Sequence, residues 1–273
     1  MAETLMKFSE KTWRFSRRSP FIDVFNFLCV IAALTWLVAR GTEELGYNWQ
    51  WYRVPQYIFA FENSQLIAGP LIDGLVVTFQ ITGLSILLSL TFGLITALLR
   101  LSDSYVASAL ARVYLELIRN SPLLVQLFFI YFVLGPILNI SRFFSAVLAL
   151  SLFEGAYASE IFRAGIVSIE KGQWEAAYSL GLRTYHSYRY IILPQAVRRI
   201  LPPLTGQVVS LVKDSALVST IAIYDLTMRG QEIIAETYLV FELWFTVAAI
   251  YLAITATLSL MANIMENRLR VEP

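Results

Sequence analysis

The stretch Leu75–Leu99, LVVTFQITGLSILLSLTFGLITALL, contains no charged residue. A helix needs about 20 mainly apolar residues to cross the roughly 30 Å hydrocarbon core of a bilayer. The stretch exceeds that length and lacks the strict alternation of polar and apolar residues that marks a strand of a membrane barrel. It therefore predicts a transmembrane helix.

Five other stretches are nearly as long and are mainly apolar. Of the 273 residues, 57% are hydrophobic and only 15% are charged, whereas about a quarter are charged in an average soluble domain. We therefore predict an all-α fold, a polytopic transmembrane bundle of about six spans. The other five predicted spans are Phe21–Ala39, Ser121–Ile140, Phe143–Ile161, Ile200–Ile223 and Leu243–Ile264.

The first apolar stretch resembles a secretory signal only superficially. It follows a polar tail, is long for the apolar part of a signal, and Val38-Ala39-Arg40 is a poor cleavage site. We interpret it as a retained membrane anchor, so the chain divides into a basic tail (1–20), an additional N-terminal helix (21–39), an aromatic outer loop (40–68) and a main membrane domain (69–273).

The distribution of Lys and Arg predicts the orientation of the chain. With both termini placed in the cytoplasm, sixteen basic residues fall inside the cell. Cytoplasmic loops of membrane proteins carry such an excess of basic residues. The four that fall outside are Arg40, Arg53, Arg142 and Arg229.

Small residues follow one face of the second predicted span at intervals of four. They are Ser85, Ser89, Gly93 and Ala97. Because small side chains let helices approach closely in lipid, this pattern predicts a helix contact, either within the chain or between two chains.

The long cytoplasmic loop has features of its own. Gln173–Leu180 suits a short helix that stops at Gly181, and Thr184 is placed to cap a second short helix that Pro194 ends or kinks. Ala176 and Ala177 would let the first helix lie close to a partner. Trp174 and Tyr178 would provide contact area on that partner.

The same loop carries a motif. The motif consists of Glu175-Ala176-Ala177, followed by Gly181, Ile191 and Leu193-Pro194. In its residues and in their spacing it resembles the EAA signature of bacterial ABC-importer permeases. In that family the loop, 164–199 here, docks on a separate ATPase subunit, and we call it the coupling loop. The resemblance implies that the ATPase-coupling residues are Trp174, Glu175, Ala176, Ala177, Gly181, Leu193 and Pro194.

Three further segments resemble the polar amino acid permeases of the histidine and glutamine type: Glu116–Gln126, Gly155–Arg163 and Gln207–Leu217. A small departure is Asn120-Ser121, where family members usually have Gly-Thr. The match extends from Gly69 to the C-terminus and implies a five-helix permease core, preceded here by one extra helix. It also implies ATP bound by a partner ATPase subunit, a periplasmic or lipid-anchored solute-binding protein, and a second permease subunit, identical or homologous.

Several other functions lack support in the sequence. No Gly-rich loop ends in Gly-Lys-Ser or Gly-Lys-Thr, so the chain is predicted not to be the ATPase and not to be an enzyme. No cluster of His and Cys residues suggests a metal, and no cofactor is expected in this chain. The net charge of +1 gives no reason to expect a nucleic acid partner.

Ionisable residues in membrane spans are costly and often functional. Two pairs of opposite charges lie three residues apart: Glu116 with Arg119, and Glu160 with Arg163. Each pair is interpreted as a structural tie, an ion pair that stabilises the fold. The tentative substrate pathway comprises Glu154, Lys213, Asp214 and Ser215. Glu154 lies about halfway along its span, where a carboxylate suits the ammonium group of an amino acid.

The function predicted from the resemblance is that of the permease subunit of an ATP-driven importer of polar amino acids in the cell inner membrane. An ion-coupled secondary transporter is the alternative, because such proteins also use intramembrane charges. A membrane enzyme would need a convergent set of catalytic groups, and none is visible. Neither the amino acid transported nor the identity of the second permease follows from the sequence.

Overall fold

The structure, a computed structural model, describes residues 20–44, 46–62 and 65–269. Most of these residues are helical. The helices are α1 Pro20–Glu44, α2 Pro55–Ile58, α3 Pro70–Leu101, α4 Tyr105–Arg119, α5 Leu123–Phe128, α6 Gly135–Leu138, α7 Arg142–Val167, α8 Lys171–Ser179, α9 Thr184–Ser187, α10 Leu193–Asp214, α11 Leu226–Thr237 and α12 Val240–Leu269.

Four of the described helices are long and apolar enough to cross a membrane: α1, α3, α7 and α12. Two bent pairs meet the same criteria only together, namely α4 with Leu123–Leu138 (bent by 106°) and Thr184–Ile221 with α11 (bent by 48°). The described residues therefore contain four to six spans, and each predicted span overlaps one of them. The prediction of an all-α polytopic membrane bundle is confirmed.

The chain divides into two units between Trp49 and Gln50. In the first unit, α1 exposes apolar side chains around its whole circumference, as a helix surrounded by lipid does. Its last turn carries an ion pair in which Arg40 Nε lies 3.3 Å from Glu44 Oε1. The predicted basic tail, 1–20, lies outside the described residues except for its last position.

The second unit includes most of the predicted aromatic loop, which has more structure than the sequence suggests. After α2 it forms an antiparallel hairpin of β1 (Phe59–Glu62) and β2 (Gln65–Ala68). The Gln50 backbone N–H donates to Glu242 Oε1 at 2.6 Å, and the rings of Trp51 and Phe245 are 6.3 Å apart. These contacts hold the loop against the start of α12.

The small residues predicted to form a helix contact do so within the chain, between α3 and α7. A Cβ atom added at Gly93 would lie 2.8 Å from the Ala158 Cβ, so only glycine fits there. The Ser85 Oγ donates to the Val147 carbonyl at 3.4 Å, and the Ser151 Oγ donates to the Ser85 carbonyl at 3.4 Å. The stripe therefore joins two spans of the same chain.

A sharp bend separates α4 from the span that follows it. The break leaves carbonyl groups without helical partners, and Gln126 satisfies two of them. Its Nε2 donates to the Ile118 carbonyl at 2.7 Å and to the Ser121 carbonyl at 3.0 Å. The predicted span Ser121–Ile140 thus begins at this bend, and its middle, Phe129–Leu134, is a π-helix.

The structure of the coupling loop differs from two predictions about its helices. Arg183, not Thr184, precedes the first residue of α9, and the Thr184 side chain makes no capping hydrogen bond. Pro194 does not end this helix, since a π-helical turn over Tyr188–Ile192 leads directly into α10. The Leu193 N–H bonds the Tyr188 carbonyl, a longer-range bond of the kind a π-turn uses, just before the proline, which lacks an N–H.

Three clusters of buried apolar side chains hold the second unit together. The largest joins α3, α5, α7 and the 3₁₀ segment Ser215–Ile221 that follows α10. The second joins α3, α11 and α12. The third holds the coupling-loop end of α7 against α10, and its buried members are Ile169, Ile192, Ala196 and Ile200.

Candidate functional site

The first candidate site is the exposed helix α8 of the coupling loop, which ends where the sequence predicts. Gly181 has φ +74°, a conformation that residues with a side chain rarely adopt. Its N–H bonds the Tyr178 carbonyl at 2.9 Å, and the Leu182 N–H bonds the Ala177 carbonyl at 3.2 Å. This is a glycine C-cap that satisfies carbonyl groups at the end of the helix.

One face of α8 packs on its own chain. Ala177 is fully buried, and Trp174 packs against the apolar cluster at the start of α10. The Trp174 ring also meets the Tyr188 ring edge-on at 4.8 Å, while Gln195 Nε2 donates to Gln173 Oε1 at 3.1 Å. Trp174 and Ala177 therefore position α8, which is a role the sequence interpretation did not give them.

The opposite face of α8 is free to meet a partner, since Glu175 and Ala176 are exposed there. Tyr178 is also exposed, together with three apolar or aromatic side chains that the sequence interpretation missed: Leu180, Tyr185 and Tyr190. The available signal was the density of large side chains in a loop outside the predicted spans. Leu193 and Pro194 are exposed as well, at the first turn of α10.

The second candidate site lies inside the bundle, where two carboxyl groups meet. Glu154 of α7 is 3% exposed, and its side chain lies within hydrogen-bonding reach of Asp214 at the end of α10. The Glu154 Oε2 atom is buried and finds no donor among the described residues.

Glu154 lines a narrow cavity of about 10 Å³ between α3, α7 and α10, which is room for about one water molecule. Its other polar lining residues are Ser89 and Gln207, and the remainder are apolar. A cationic group can therefore reach the free oxygen of Glu154 only when α3, α7 and α10 move apart.

The other two residues of the predicted pathway lie elsewhere. The Lys213 side chain is exposed on the outside of the described chain. Ser215 is fully buried, and its Oγ donates to the Val212 carbonyl of its own helix at 2.7 Å. Of the four predicted pathway residues, the structure brings together Glu154 and Asp214 and separates Lys213 and Ser215 from the cavity.

A third polar cluster forms where α3, α4 and α7 end. Glu160 of α7 binds the guanidinium group of Arg100, lies 3.3 Å from Arg119 Nη1 and 3.1 Å from Arg163 Nε. The predicted tie between Glu160 and Arg163 is confirmed. The predicted tie between Glu116 and Arg119 is wrong, since Arg119 turns to Glu160 and Glu116 Oε2 accepts from Asn120 Nδ2 at 2.6 Å.

A buried polar group that the sequence interpretation missed is Asp225, at the break before α11. Its Oδ1 accepts the Met228 N–H at 2.9 Å, and its Oδ2 accepts the Tyr251 hydroxyl at 3.3 Å. A Cβ atom at Gly74 would lie 2.7 Å from the Asp225 carbonyl oxygen. Asp225 thus caps α11 and holds it against α3 and α12, which is a structural role.

Comparison with known proteins places this arrangement in a family. Residues 89–271 match the family described as binding-protein-dependent transport system inner membrane component. The glutamine transport system permease protein GlnP of Escherichia coli (strain K12) is 40% identical over 204 residues, which cover 74% of this chain and 93% of that protein. The L-cystine transport system permease protein TcyB of Bacillus subtilis (strain 168) is 42% identical over 72% of this chain and 85% of that protein.

Solved structures agree with these relatives. A crystal structure of an amino acid ABC transporter with histidines superposes with a TM-score of 0.69 at 39% identity, covering 73% of this chain and 94% of that chain. An inward-facing structure of the MetNI methionine ABC transporter shares the fold, with a TM-score of 0.62 at 18% identity. The chain therefore belongs to the family of binding-protein-dependent transport system inner membrane components, the permease subunits of ABC importers.

Proposed function

We propose that this chain is the permease subunit of an inner-membrane ABC importer for polar amino acids. Membership of the family, together with relatives that are glutamine and cystine permeases, supports this function over the ion-coupled alternative. The observation that carries the proposal is α8, a short helix fixed on one side by Trp174 and Ala177 and open on the other side at Glu175 and Ala176.

The proposed mechanism is alternating access, driven from outside this chain. A solute-binding protein delivers the amino acid. A separate ATPase subunit binds ATP and then closes against a second ATPase subunit. The motion reaches the bundle through α8, since α8 packs on the start of α10. As α10 ends at Asp214 beside Glu154, a shift of α10 changes the cavity directly.

The proposed contact for substrate is Glu154, once the transport cycle moves α3, α7 and α10 apart. The ammonium group of an amino acid needs a desolvated acceptor, and a charge-assisted hydrogen bond to a buried carboxyl oxygen provides it. Glu154 Oε2 is such an oxygen, buried and without a donor in the described chain. A second permease subunit completes the pathway, with both termini of this chain in the cytoplasm.

The experiment that tests the proposal begins with isolation of the chain in mild detergent and identification of what copurifies. We expect an ATPase subunit with a phosphate-binding loop. In proteoliposomes of that complex, Glu175→Ala should lower substrate-stimulated ATP hydrolysis by about tenfold, as expected for loss of an interface contact worth roughly 1.4 kcal/mol.

The matched control is Glu236→Ala, which removes another exposed carboxylate, at the far end of α11. It should leave ATP hydrolysis unchanged. Isolation of the chain alone from several mild detergents, or full coupling in the Glu175→Ala complex, would contradict the proposed function.

A further inference from the structure

The helix α4 has three faces of different character. One face packs on the bundle, where Ala111 and Leu115 are buried. A second face is apolar and open. Its members are Val106, Leu110, Val113 and Leu117, each more than half exposed. The third face is polar and also open. Its members are Arg112, Glu116 and Arg119. Within each set the residues are three or four apart, so each set occupies one side of the helix.

Neither water nor the interior of a bilayer suits both open faces of α4. If the helix lay in water, the large side chains of its apolar face would be solvated. If it crossed the hydrocarbon core, the charges of Arg112 and Glu116 would face lipid, which is costly. An amphipathic helix of this kind is stable where the headgroups meet the acyl chains, with its apolar face turned inward.

The direction of α4 agrees with a position at this boundary. The chain bends by 106° between α4 and the segment Leu123–Leu138 that follows it. That segment lies within the predicted span Ser121–Ile140. Because α4 is nearly perpendicular to a helix that crosses the bilayer, it lies close to the plane of the membrane.

The level of α4 in the membrane follows from its contact with α7. Arg119 pairs with Glu160, which lies eighteen residues after Arg142 along α7, or about 27 Å at 1.5 Å per residue. The hydrocarbon core is about 30 Å thick, so a span that begins near Arg142 reaches the headgroups close to Glu160. The helix α4 therefore lies at the edge of the core on the side of the coupling loop.

Two contacts also set the rotation of α4 about its own axis. The Tyr114 hydroxyl donates to the Leu152 carbonyl at 2.6 Å, whereas Arg119 Nη1 lies 3.3 Å from Glu160 Oε1. Leu152 precedes Glu160 by eight residues on α7, so it lies about 12 Å deeper in the bilayer. Tyr114 flanks the apolar face of α4, and Arg119 belongs to the polar face. The apolar face is therefore turned towards the acyl chains and the polar face towards the headgroups and water.

We propose that α4 is an interfacial helix that binds the lipid surface on the side of the coupling loop. Its apolar face lies among the acyl chains just below the headgroups, while Arg112 and Arg119 lie at the level of the phosphates. The proposal requires only that the chain spans a membrane. It is independent of the transported substrate and of the contact made by α8.

The test measures the depth of spin labels in proteoliposomes that contain the chain with the partners that remain bound in mild detergent. Each label is attached to a single cysteine in the Cys29→Ala background, because Cys29 is the one cysteine of the chain. Val113→Cys and Leu117→Cys each place a label on the apolar face. Depth is measured from collisions with oxygen, which is concentrated among acyl chains, and with a water-soluble nickel chelate.

We expect the label at position 113 to lie about 5 to 10 Å below the phosphates, accessible to oxygen and protected from the nickel chelate. The label at position 117 should give the same result, so a folding defect in one of the two variants leaves the test decisive.

The matched control is Arg112→Cys, at the neighbouring position but on the polar face. Arg112 bonds only Ser108 among the described residues, so its replacement should disturb the helix little. Its label should lie at or above the phosphates and collide frequently with the nickel chelate.

Three outcomes would overturn the proposal. Collisions with the nickel chelate at positions 113 and 117 that are as frequent as at position 112 would place the apolar face in water. Protection of both positions from oxygen and from the chelate would show that protein covers this face, as a second permease subunit would. A depth of about 15 Å, the middle of the hydrocarbon core, would make α4 part of a span.

Discussion

Two glutamates on α7 illustrate how position along one helix determines the role of the same side chain. Glu154 is nearly fully buried and lies beside another carboxyl group, with one oxygen unpaired. Glu160, six residues or about 9 Å further along, is about a quarter exposed and binds three arginines. A carboxylate surrounded by cations stabilises a fold, whereas one held without a cation is available to a ligand.

Substitution of Glu160 is expected to have the largest effect on the stability of the protein. Glu160→Gln leaves three guanidinium groups without their shared carboxylate, so we expect a loss of about 3 kcal/mol. A lower melting temperature of the purified complex would show this loss. Glu116→Gln on α4 is the control, because Glu116 accepts from Asn120 and forms no ion pair among the described residues. Equal melting temperatures for the two variants would show that the arginine cluster does not stabilise the bundle.

A smaller loss of stability is expected when the contact between α3 and α7, the helix that carries both glutamates, is disturbed. Gly93→Val would push α3 away from α7, because a Cβ atom added there would lie only 2.8 Å from the Ala158 Cβ. Overpacking of this kind costs about 2 kcal/mol, again read as a melting temperature. Gly83→Val on the same helix is the control, since a Cβ at Gly83 meets nothing within 4 Å. If both variants melt alike, the contact between α3 and α7 is looser than the structure indicates.

The smallest effect on stability is expected at Glu154. In Glu154→Gln the amide can still donate to Asp214, so the change in stability should stay within about 1 kcal/mol. Transport should nevertheless fall by about tenfold or more, because a charge-assisted hydrogen bond to the ammonium group is lost. Uptake of labelled amino acid into proteoliposomes measures this.

Ser159→Ala provides the control for that measurement. Ser159 is buried on the same helix, and among the described residues its hydroxyl bonds only the Ala156 carbonyl. Uptake should remain at the wild-type level in this variant. Unchanged uptake in Glu154→Gln would instead assign Glu154 a structural role, and the contrast with Glu160 would then concern stability alone.

The spans and the helix α8 could be predicted from sequence because their signals are local. A long uncharged stretch such as Leu75–Leu99 has no stable alternative to a helix in lipid. Gly181 ends α8 for an equally local reason, since its positive φ favours glycine. The stripe at Ser85, Ser89, Gly93 and Ala97 also predicted a contact correctly, although its partner, α7, is known only from the structure.

The errors arose where the partner of a side chain is distant in sequence. Arg119 is three residues from Glu116, yet it pairs with Glu160, forty-one residues away. Pro194 does not end the helix, because it stands in the first turn of α10, where the N–H that proline lacks is not needed. Lys213 and Asp214 are neighbours in sequence, yet Asp214 lies beside Glu154 whereas the Lys213 side chain is exposed.

The sequence by itself determined that the chain is a membrane bundle, the approximate position of its spans and the motif of its coupling loop. These properties depend on the hydrophobicity and conformational preference of consecutive residues. Only the tertiary structure decided which charges compensate one another, which carboxyl oxygen is left free and which face of α8 is open. Those properties depend on distances between helices, which the packing of small residues sets and which the order of residues along the chain does not record.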